Sequence, residues 1–259
     1  MHGSGSTSSP VFREETLSRF FAIFAFMYTY IYSLRPGETD VFSYVFMKIL
    51  EGRPRSYDRR MDKASRGRVR QIKESVAQEV PRDARVLEIG CGTGELAAML
   101  IGRGAVVDAF DTSPAMVEVV RERIEEEGLD TRLAVRHMGV DGMDGLPSSH
   151  YDAAVSTLVF SELTADERGY ALKHAARVLK PGGHLVIADE VVPRKAAARI
   201  LQTVVRVPML AATYLVSRAS TRPITDLAGE VAEAGFHIDK EVRSHGDAFS
   251  LVRATLPER

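Results

Sequence analysis

The chain has 259 residues, with 34 Lys or Arg against 35 Asp or Glu, so its formal net charge at pH 7 is −1. This balance gives no global field that would attract nucleic acid, and it disfavours a dedicated nucleic-acid-binding function. Cys91 is the only cysteine, which excludes a disulfide scaffold and a cysteine-rich zinc site. The 45% of hydrophobic residues is typical of a globular protein. A single cysteine is consistent with the cytoplasm, where thiols stay reduced, so we expect a cytoplasmic protein.

The N-terminal part is expected to comprise a flexible tail, residues 1–15, and a helical extension or lid, residues 16–80. Residues 20–34 are apolar and aromatic, but this run is too short for a standard transmembrane helix, which needs about 20 residues. We interpret the run as a buried helix that covers the main domain or a partner. The alternative is an interfacial helix that contacts a membrane peripherally.

A locally basic stretch, residues 53–73, follows this extension. It carries seven Arg and two Lys against Asp58 and Asp62. A solvated helical face is the favoured interpretation, and a docking patch for an anionic group near the cleft is the alternative.

Further along, short β-rich runs alternate with helix-like segments. Strands are predicted over residues 85–89, 105–110, 131–137, 151–157 and 184–190. Helices are predicted over residues 95–102, over residues 114–128 behind a Ser113 cap, and over residues 165–179 before a Pro-Gly-Gly stop. This alternation implies βαβ units and a parallel sheet with right-handed crossovers.

The alternation ends after the fifth predicted strand. An apolar insertion is expected at about residues 192–222, followed by a helix over residues 225–234. Two strand-like runs flank Gly246-Asp247 and predict an antiparallel hairpin. Residues 81–259 are therefore expected to form an α/β domain with a Rossmann-like, mostly parallel seven-stranded sheet and a C-terminal antiparallel hairpin.

The most informative segment is VLEIGCGTGE, residues 86–95, in which a strand runs through closely spaced glycines into a helix. Such glycines let the backbone approach a ligand, and the helix N-terminus presents free N–H groups. Asp111 lies at the end of the next predicted strand, where a carboxylate can accept hydrogen bonds from both ribose hydroxyls. The pattern therefore predicts an adenosine-type ligand.

Two carboxylates near the glycine loop indicate which kind of nucleoside it binds. Glu95 occupies the position of the third glycine of a dinucleotide fingerprint, where it would be a poor neighbour for pyrophosphate. Glu88 lies at the strand end beside the loop and suits an ammonium or sulfonium group. S-adenosylmethionine carries both of these groups and no phosphate.

Three motifs resemble those of the class I S-adenosylmethionine-dependent methyltransferases. They are LEIGCGTG at residues 87–94, FDTSPAM at residues 110–116 and RVLKPGG at residues 177–183. Tyr57-Asp58 resembles the Tyr-Asp of the ubiquinone/menaquinone-type enzymes. Residues 46–51, 138–140 and 158–163 resemble the corrinoid protein-associated subgroup, which would imply a corrinoid-system partner protein.

The resemblance implies a set of cofactor-binding residues for S-adenosylmethionine and its product, S-adenosylhomocysteine. They are Glu88 at the methionine end, Gly90, Cys91, Gly92 and Gly94 in the loop, Asp111 at the ribose, Thr112 and Met116 beside the adenine, and Thr157 and Leu158 at the methionine side. The adenine amine contact stays open among Asp141, Gly142 and Met143, because residues 139–147 are one residue out of the family's register.

Candidates for a catalytic group are Tyr57, His137 and Glu162. A hydrogen-bonded structural role is the default for His137, and Glu162 could instead begin a helix that Ser161 caps. The HxD and ExE pairs of a metal site are missing, so we predict no metal.

The predicted function is methyl transfer from S-adenosylmethionine to a small, partly apolar acceptor. We expect residues 20–34 and 199–217 to pack together over the cofactor site and to form the wall of an acceptor pocket. One alternative is a non-catalytic S-adenosylmethionine-binding module that docks a partner protein. A nicotinamide-dependent oxidoreductase is the other, and Glu95 disfavours it.

Overall fold

A computed structural model of the chain describes residues 56–129, 131–194, 224–244 and 246–258. Its helices are α1 (Tyr57–Ser65), α2 (Arg68–Glu79), α3 (Glu95–Ile101), α4 (Pro114–Glu127), α5 (Ala165–Val178) and α6 (Leu227–Glu233). Its strands are β1 (Arg85–Ile89), β2 (Val106–Asp111), β3 (Leu133–His137), β4 (Tyr151–Thr157), β5 (Leu179–Glu190), β6 (His237–Ser244) and β7 (Phe249–Thr255). Short 3-10 helices, Val140–Gly145 and Phe160–Glu162, follow β3 and β4. The apolar segments 20–34 and 199–217 lie outside the described residues.

All seven strands belong to one sheet in the order β3-β2-β1-β4-β5-β7-β6. The first five strands in this order are parallel, and β7 pairs antiparallel with both β5 and β6. This confirms the Rossmann-like, mostly parallel sheet with a C-terminal antiparallel hairpin. After β3 the chain crosses to the other side of β1, so β1 and β4 border the switch point at which ligands bind in such sheets.

Both faces of the sheet are buried. Along β1, Leu87 and Ile89 belong to one hydrophobic cluster, whereas Val86 belongs to the cluster on the opposite face. Successive side chains of a strand point to opposite faces, so Glu88 lies on the same face as Val86. Helices cover both faces, which explains why the central strands read as nearly continuous apolar runs.

The predicted caps of α4 are confirmed. The Ser113 side chain accepts a hydrogen bond from the Met116 backbone N–H, Pro114 occupies the first turn, and Gly128 ends the helix at φ +65°. At α5 the suggested Ser161 cap is wrong. Thr164 caps this helix and forms a capping box with Glu167.

The fifth strand begins earlier than the sequence predicted. β5 starts at Leu179, which pairs with Tyr151, and its register with β4 shifts before His184 pairs with Ala153. Proline has no N–H to donate to the ladder, which accounts for an irregular start around Pro181. Gly182 N–H instead donates to the Leu256 carbonyl at 2.9 Å. The Pro-Gly-Gly segment is therefore part of the strand and not only a helix stop.

An isolated bridge marks where the expected insertion leaves and rejoins the sheet. Val191 and Ile224 form a parallel bridge, and Val192 N–H donates to the Ile224 carbonyl at 2.9 Å. Most of the segment between these points, residues 195–223, lies outside the described residues. Among the described helices, none has the length and apolar character needed to cross a membrane.

Candidate functional site

A cavity of about 770 Å³ opens at the carboxyl ends of β1, β2 and β4. This is the edge of the sheet predicted for ligand binding, next to the switch point. Twelve of the residues singled out from the sequence line it: Tyr57, Glu88, Gly90, Cys91, Gly92, Asp111, Thr112, Met116, Asp141, Thr157, Leu158 and Glu162. The glycine loop, the segment after β2 and the segments after β3 and β4 therefore meet around one space, whereas the RVLKPGG motif at residues 177–183 does not line it.

The glycine loop lies at the bottom of this cavity with a backbone that requires glycine. Gly90 has φ +71°, and a Cβ added there would lie 2.3 Å from the Cγ2 atom of Val159. The N–H groups of Gly90 and Cys91 both donate to the Phe110 carbonyl, at 2.9 and 3.0 Å. These bonds connect the loop to the end of β2. Gly94 caps α3 at φ +76° and does not line the cavity.

Asp111 fixes the loop from the end of β2. Its Oδ2 atom accepts from the Gly92 N–H at 2.8 Å, and its Oδ1 atom accepts from the Ser113 N–H at 2.8 Å. Each carboxylate oxygen has two lone-pair sites, so one acceptor site per oxygen remains for a ligand in the cavity. The residue predicted to bind ribose thus also holds the loop in position.

Glu88 is a buried carboxyl group with an unused acceptor. The residue is 3% exposed, and its Oε2 atom has no hydrogen-bond partner among the described residues. Burial raises the pKa of Glu88 to about 8, while the nearby Lys73 ammonium opposes this shift. Buried polar atoms are normally hydrogen-bonded. An unpaired carboxyl oxygen at the cavity wall therefore points to a cationic or hydrogen-bond-donating ligand.

The first two described helices, α1 and α2, are attached to the glycine loop and α3. From α1, Asp58 accepts a hydrogen bond from the hydroxyl of Thr93, which is 2% exposed. From α2, the Lys73 ammonium lies 2.8 Å from the Glu95 carboxylate. Lys73 and Thr93 line the cavity and were missed in the sequence, because no local motif relates α1 and α2 to a loop some 20 or more residues away.

The segment after β3 holds the three candidates for the adenine contact, and only part of this segment lines the cavity. Gly139, Val140 and Asp141 line it, whereas Gly142 does not and Met143 is fully buried in the core. His137, at the end of β3, is exposed and does not line the cavity. Its Nε2 atom lies 3.0 Å from the Thr112 carbonyl oxygen. The structure therefore leaves Tyr57 and Glu162 as the catalytic candidates placed at the cavity.

The segment after β4 forms the opposite wall. Leu158 has φ +62°, a conformation that costs a non-glycine residue free energy and often occurs at ligand sites. Its N–H donates to the Ala188 carbonyl at 2.9 Å, which holds the turn against β5. The Thr157 hydroxyl is buried without a hydrogen-bond partner among the described residues. Thr157, Leu158 and Val159 all line the cavity, with Thr157 presenting an unused polar atom.

Other titratable groups near the sheet are structural. Asp189 is fully buried below the loop after β4, where it accepts from the Ser161 and Glu190 N–H groups, and burial raises its pKa to about 6. Burial also raises the pKa of the Cys91 thiol, which favours the unreactive protonated form. Within the described residues, no group of three or more His, Cys, Asp or Glu could hold a metal ion.

Comparisons with known proteins agree with this geometry. A family model described as a methyltransferase domain matches residues 86–183, from β1 to the Pro-Gly-Gly segment. A demethylmenaquinone methyltransferase from Thermus thermophilus is 32% identical over 180 residues, which cover 63% of this chain and 79% of that protein. The methyltransferase GfsG from Streptomyces halstedii is 34% identical over 117 residues, or 44% of this chain and 40% of that protein. This chain therefore spans less than half of GfsG.

A solved structure gives the same fold. The 1,6-didemethyltoxoflavin-N1-methyltransferase of Burkholderia thailandensis, with bound 1,6-didemethyltoxoflavin and S-adenosylhomocysteine, has a TM-score of 0.59 and 17% identity, and the match covers 83% of this chain and 88% of that chain. The sheet order, the glycine loop with Asp111 and the relatedness to the Thermus enzyme agree with one another. The chain belongs to the class I S-adenosylmethionine-dependent methyltransferases.

Proposed function

We propose that this chain transfers a methyl group from S-adenosylmethionine to a small, partly apolar acceptor bound in the 770 Å³ cavity. The observation that carries the proposal is the pairing of Glu88 and Asp111 on either side of the glycine loop. Glu88 offers a buried, unpartnered oxygen to the ammonium group, and Asp111 offers one free acceptor site per oxygen to the ribose hydroxyls.

The remaining cofactor contacts follow from the lining of the cavity. Thr112 and Met116 would lie on either side of the adenine, and Asp141 would accept from its amino group. Thr157 and Leu158 would close the methionine end. In this proposal Gly142, Met143 and Gly94 support the site without contacting the cofactor, since the cavity does not reach them.

The methyl transfer requires little from the protein beyond alignment of the acceptor with the methyl group. S-adenosylmethionine would supply a methyl group already activated by its sulfonium. The residues around it would hold the acceptor in line, about 3 Å from the methyl carbon, and exclude water. Tyr57 and Glu162 are placed to orient an acceptor, and no general base is obligatory for a thiol, amine or stabilised carbanion.

Apolar side chains on the described wall support an acceptor that is partly apolar. Val69, Val140, Val159 and Leu163 line the cavity alongside the rings of Tyr57 and Tyr170. Residues 20–34 and 199–217 are proposed to complete this wall as a lid. A corrinoid-system partner and a peripheral membrane contact through residues 20–34 both stay predictions.

The decisive experiment follows an isotopically labelled methyl group from S-adenosylmethionine into small molecules of a metabolite extract. We expect a labelled product with the intact chain and none after Gly90→Ala. Binding of S-adenosylhomocysteine without any transfer would instead support the non-catalytic binding module. Tight binding of a nicotinamide dinucleotide in a titration would support the oxidoreductase and contradict the proposal.

A further inference from the structure

The described wall of the cavity is strongly acidic, with a single basic side chain. Its carboxyl groups are Glu88, Asp111, Asp141, Glu162, Asp166 and Glu167, and the basic side chain is that of Lys73. A ligand carboxylate entering such a space would be repelled by most of the charged groups around it. Among the charged side chains of the described wall, Lys73 alone would attract it.

Lys73 is held at the wall by the fold. It lies one turn after Val69 on α2, both residues line the cavity, and Val76 of the same helix is fully buried in the core. Its side chain is 13% exposed, and its Nζ atom lies 2.8 Å from Glu95 Oε2. The ammonium therefore has little freedom to leave the cavity wall.

The surroundings of Lys73 place it at one end of the site. Its ion-pair partner Glu95 directly follows Gly94, so the ammonium lies beside the glycine loop, and its charge opposes the rise in the pKa of Glu88. An ammonium and a buried carboxyl group close to each other are complementary to the two charges of an amino acid. Neither group alone would recognise a zwitterion.

We propose that Lys73 binds the α-carboxylate of the methionine moiety of S-adenosylmethionine, with Glu95 as the residue that positions it. This inference rests on the proposed function and assigns a contact to a helix outside the methyltransferase motifs. In this proposal Glu95 has two roles. Its negative charge stabilises the N-terminus of α3, and it also orients the Lys73 ammonium.

The test compares two ligands that differ only in this carboxylate, S-adenosylmethionine and its decarboxylated analogue. Calorimetry would give the affinity of both for the intact chain, Lys73→Gln and Lys73→Arg. For Lys73→Gln we expect the preference for S-adenosylmethionine over the analogue to fall about tenfold or more, the loss typical of one charge-assisted hydrogen bond. Lys73→Arg, which keeps the charge, should restore most of that preference.

Arg70→Gln is the matched control for long-range charge. Arg70 lies on the same helix, 3.8 Å from the other oxygen of Glu95, but its side chain is 58% exposed and does not line the cavity. Removing this charge should leave the ratio of the two affinities within about twofold, as expected for a screened surface charge. An equal drop in Arg70→Gln and Lys73→Gln would show a general field effect and would overturn the proposal.

Two further outcomes would also overturn it. One is an unchanged ratio in Lys73→Gln, and the other is an equal loss for both ligands, which is the signature of a structural role. Thermal unfolding of each variant checks that the domain is folded. Failure of the proposed function looks different, because the intact chain would then bind neither ligand.

Discussion

The two sides of the cavity are built in different ways. On the side of β1 and β2, consecutive residues make the site, since Gly90 and Cys91 bond to the Phe110 carbonyl and Asp111 holds Gly92 and Ser113. On the other side, α1, α2 and the turn after β4 contribute side chains that approach from distant parts of the chain. The side proposed to bind the nucleoside is therefore defined by backbone geometry, whereas the side proposed to bind the methionine moiety and the acceptor depends on tertiary packing.

Gly90→Ala breaks the backbone-defined side most directly. The new Cβ would lie 2.3 Å from Val159 Cγ2, at a residue with φ +71°. Overpacking and a left-handed non-glycine residue each cost about 1–3 kcal/mol, so we expect affinity for S-adenosylhomocysteine to fall by about 100-fold. Gly145→Ala is the control, because an added Cβ there has no atom within 4 Å. Equal affinities of the two variants in calorimetry would show that the loop does not form the site.

Asp111→Asn tests the link between the loop and the ribose. Both carboxylate oxygens accept N–H groups, so an amide would place a donor against one of them. The loss of one or more charge-assisted hydrogen bonds, about 1.5–3 kcal/mol each, should weaken S-adenosylhomocysteine binding by about tenfold or more. Asp144→Asn removes the same charge at an exposed position outside the cavity lining and should bind normally. Unchanged affinity of the Asp111 variant would contradict our placement of the nucleoside.

Glu88 provides a pH test at the boundary between the two sides. Its pKa is raised from 4.5 to about 8 in the folded, ligand-free protein, so the folded state binds more protons than the unfolded state between these values. The free energy of unfolding should therefore fall as the pH rises from about 4.5 to 8, and Glu88→Gln should reduce this dependence. Chemical denaturation across this range is the measurement, with the exposed Glu125→Gln as control. Identical pH profiles of Glu88→Gln and the intact chain would refute a buried, titrating carboxyl group.

Deletion of residues 1–35 should have the smallest effect on the affinity for the cofactor. The lid proposal predicts weaker acceptor methylation, with affinity for S-adenosylhomocysteine kept within a few fold, because water exclusion matters for transfer more than for cofactor binding. Liposome flotation is the second readout. Strong flotation of the intact chain that is lost on deletion would favour a membrane contact over a lid.

The sequence predicted the β1–β2 side well, since its determinants are local. Strand 85–89 was predicted to the residue, and the glycines and Asp111 meet where their spacing suggested. One boundary and one cap were wrong, the boundary because tertiary pairing overrides the local signal and the cap because the local capping box of Thr164 and Glu167 was overlooked. Leu179 leaves the helix for a strand because Tyr151 is available to pair with it, and Thr164 instead of Ser161 caps α5.

The other side of the cavity could not be predicted in the same way. Lys73 lies in a stretch that reads as a solvated basic face, and only the packing of α2 against α3 brings its ammonium to Glu95 and the cavity wall. Similarly, the sequence left Asp141, Gly142 and Met143 as equal candidates for the adenine contact, and only the fold of the 3-10 helix buries Met143 in the core and leaves Asp141 at the cavity. Such placements depend on contacts between residues that are distant in sequence.

Calorimetric titration of the intact chain with S-adenosylhomocysteine tests the central claim most directly. We predict one binding site per chain, together with a ligand-dependent rise in melting temperature, because a ligand that binds only the folded state stabilises it by mass action. Gly90→Ala should abolish most of this binding. The absence of binding heat and of a thermal shift at saturating ligand in the intact chain would contradict the assignment of the cavity as the cofactor site.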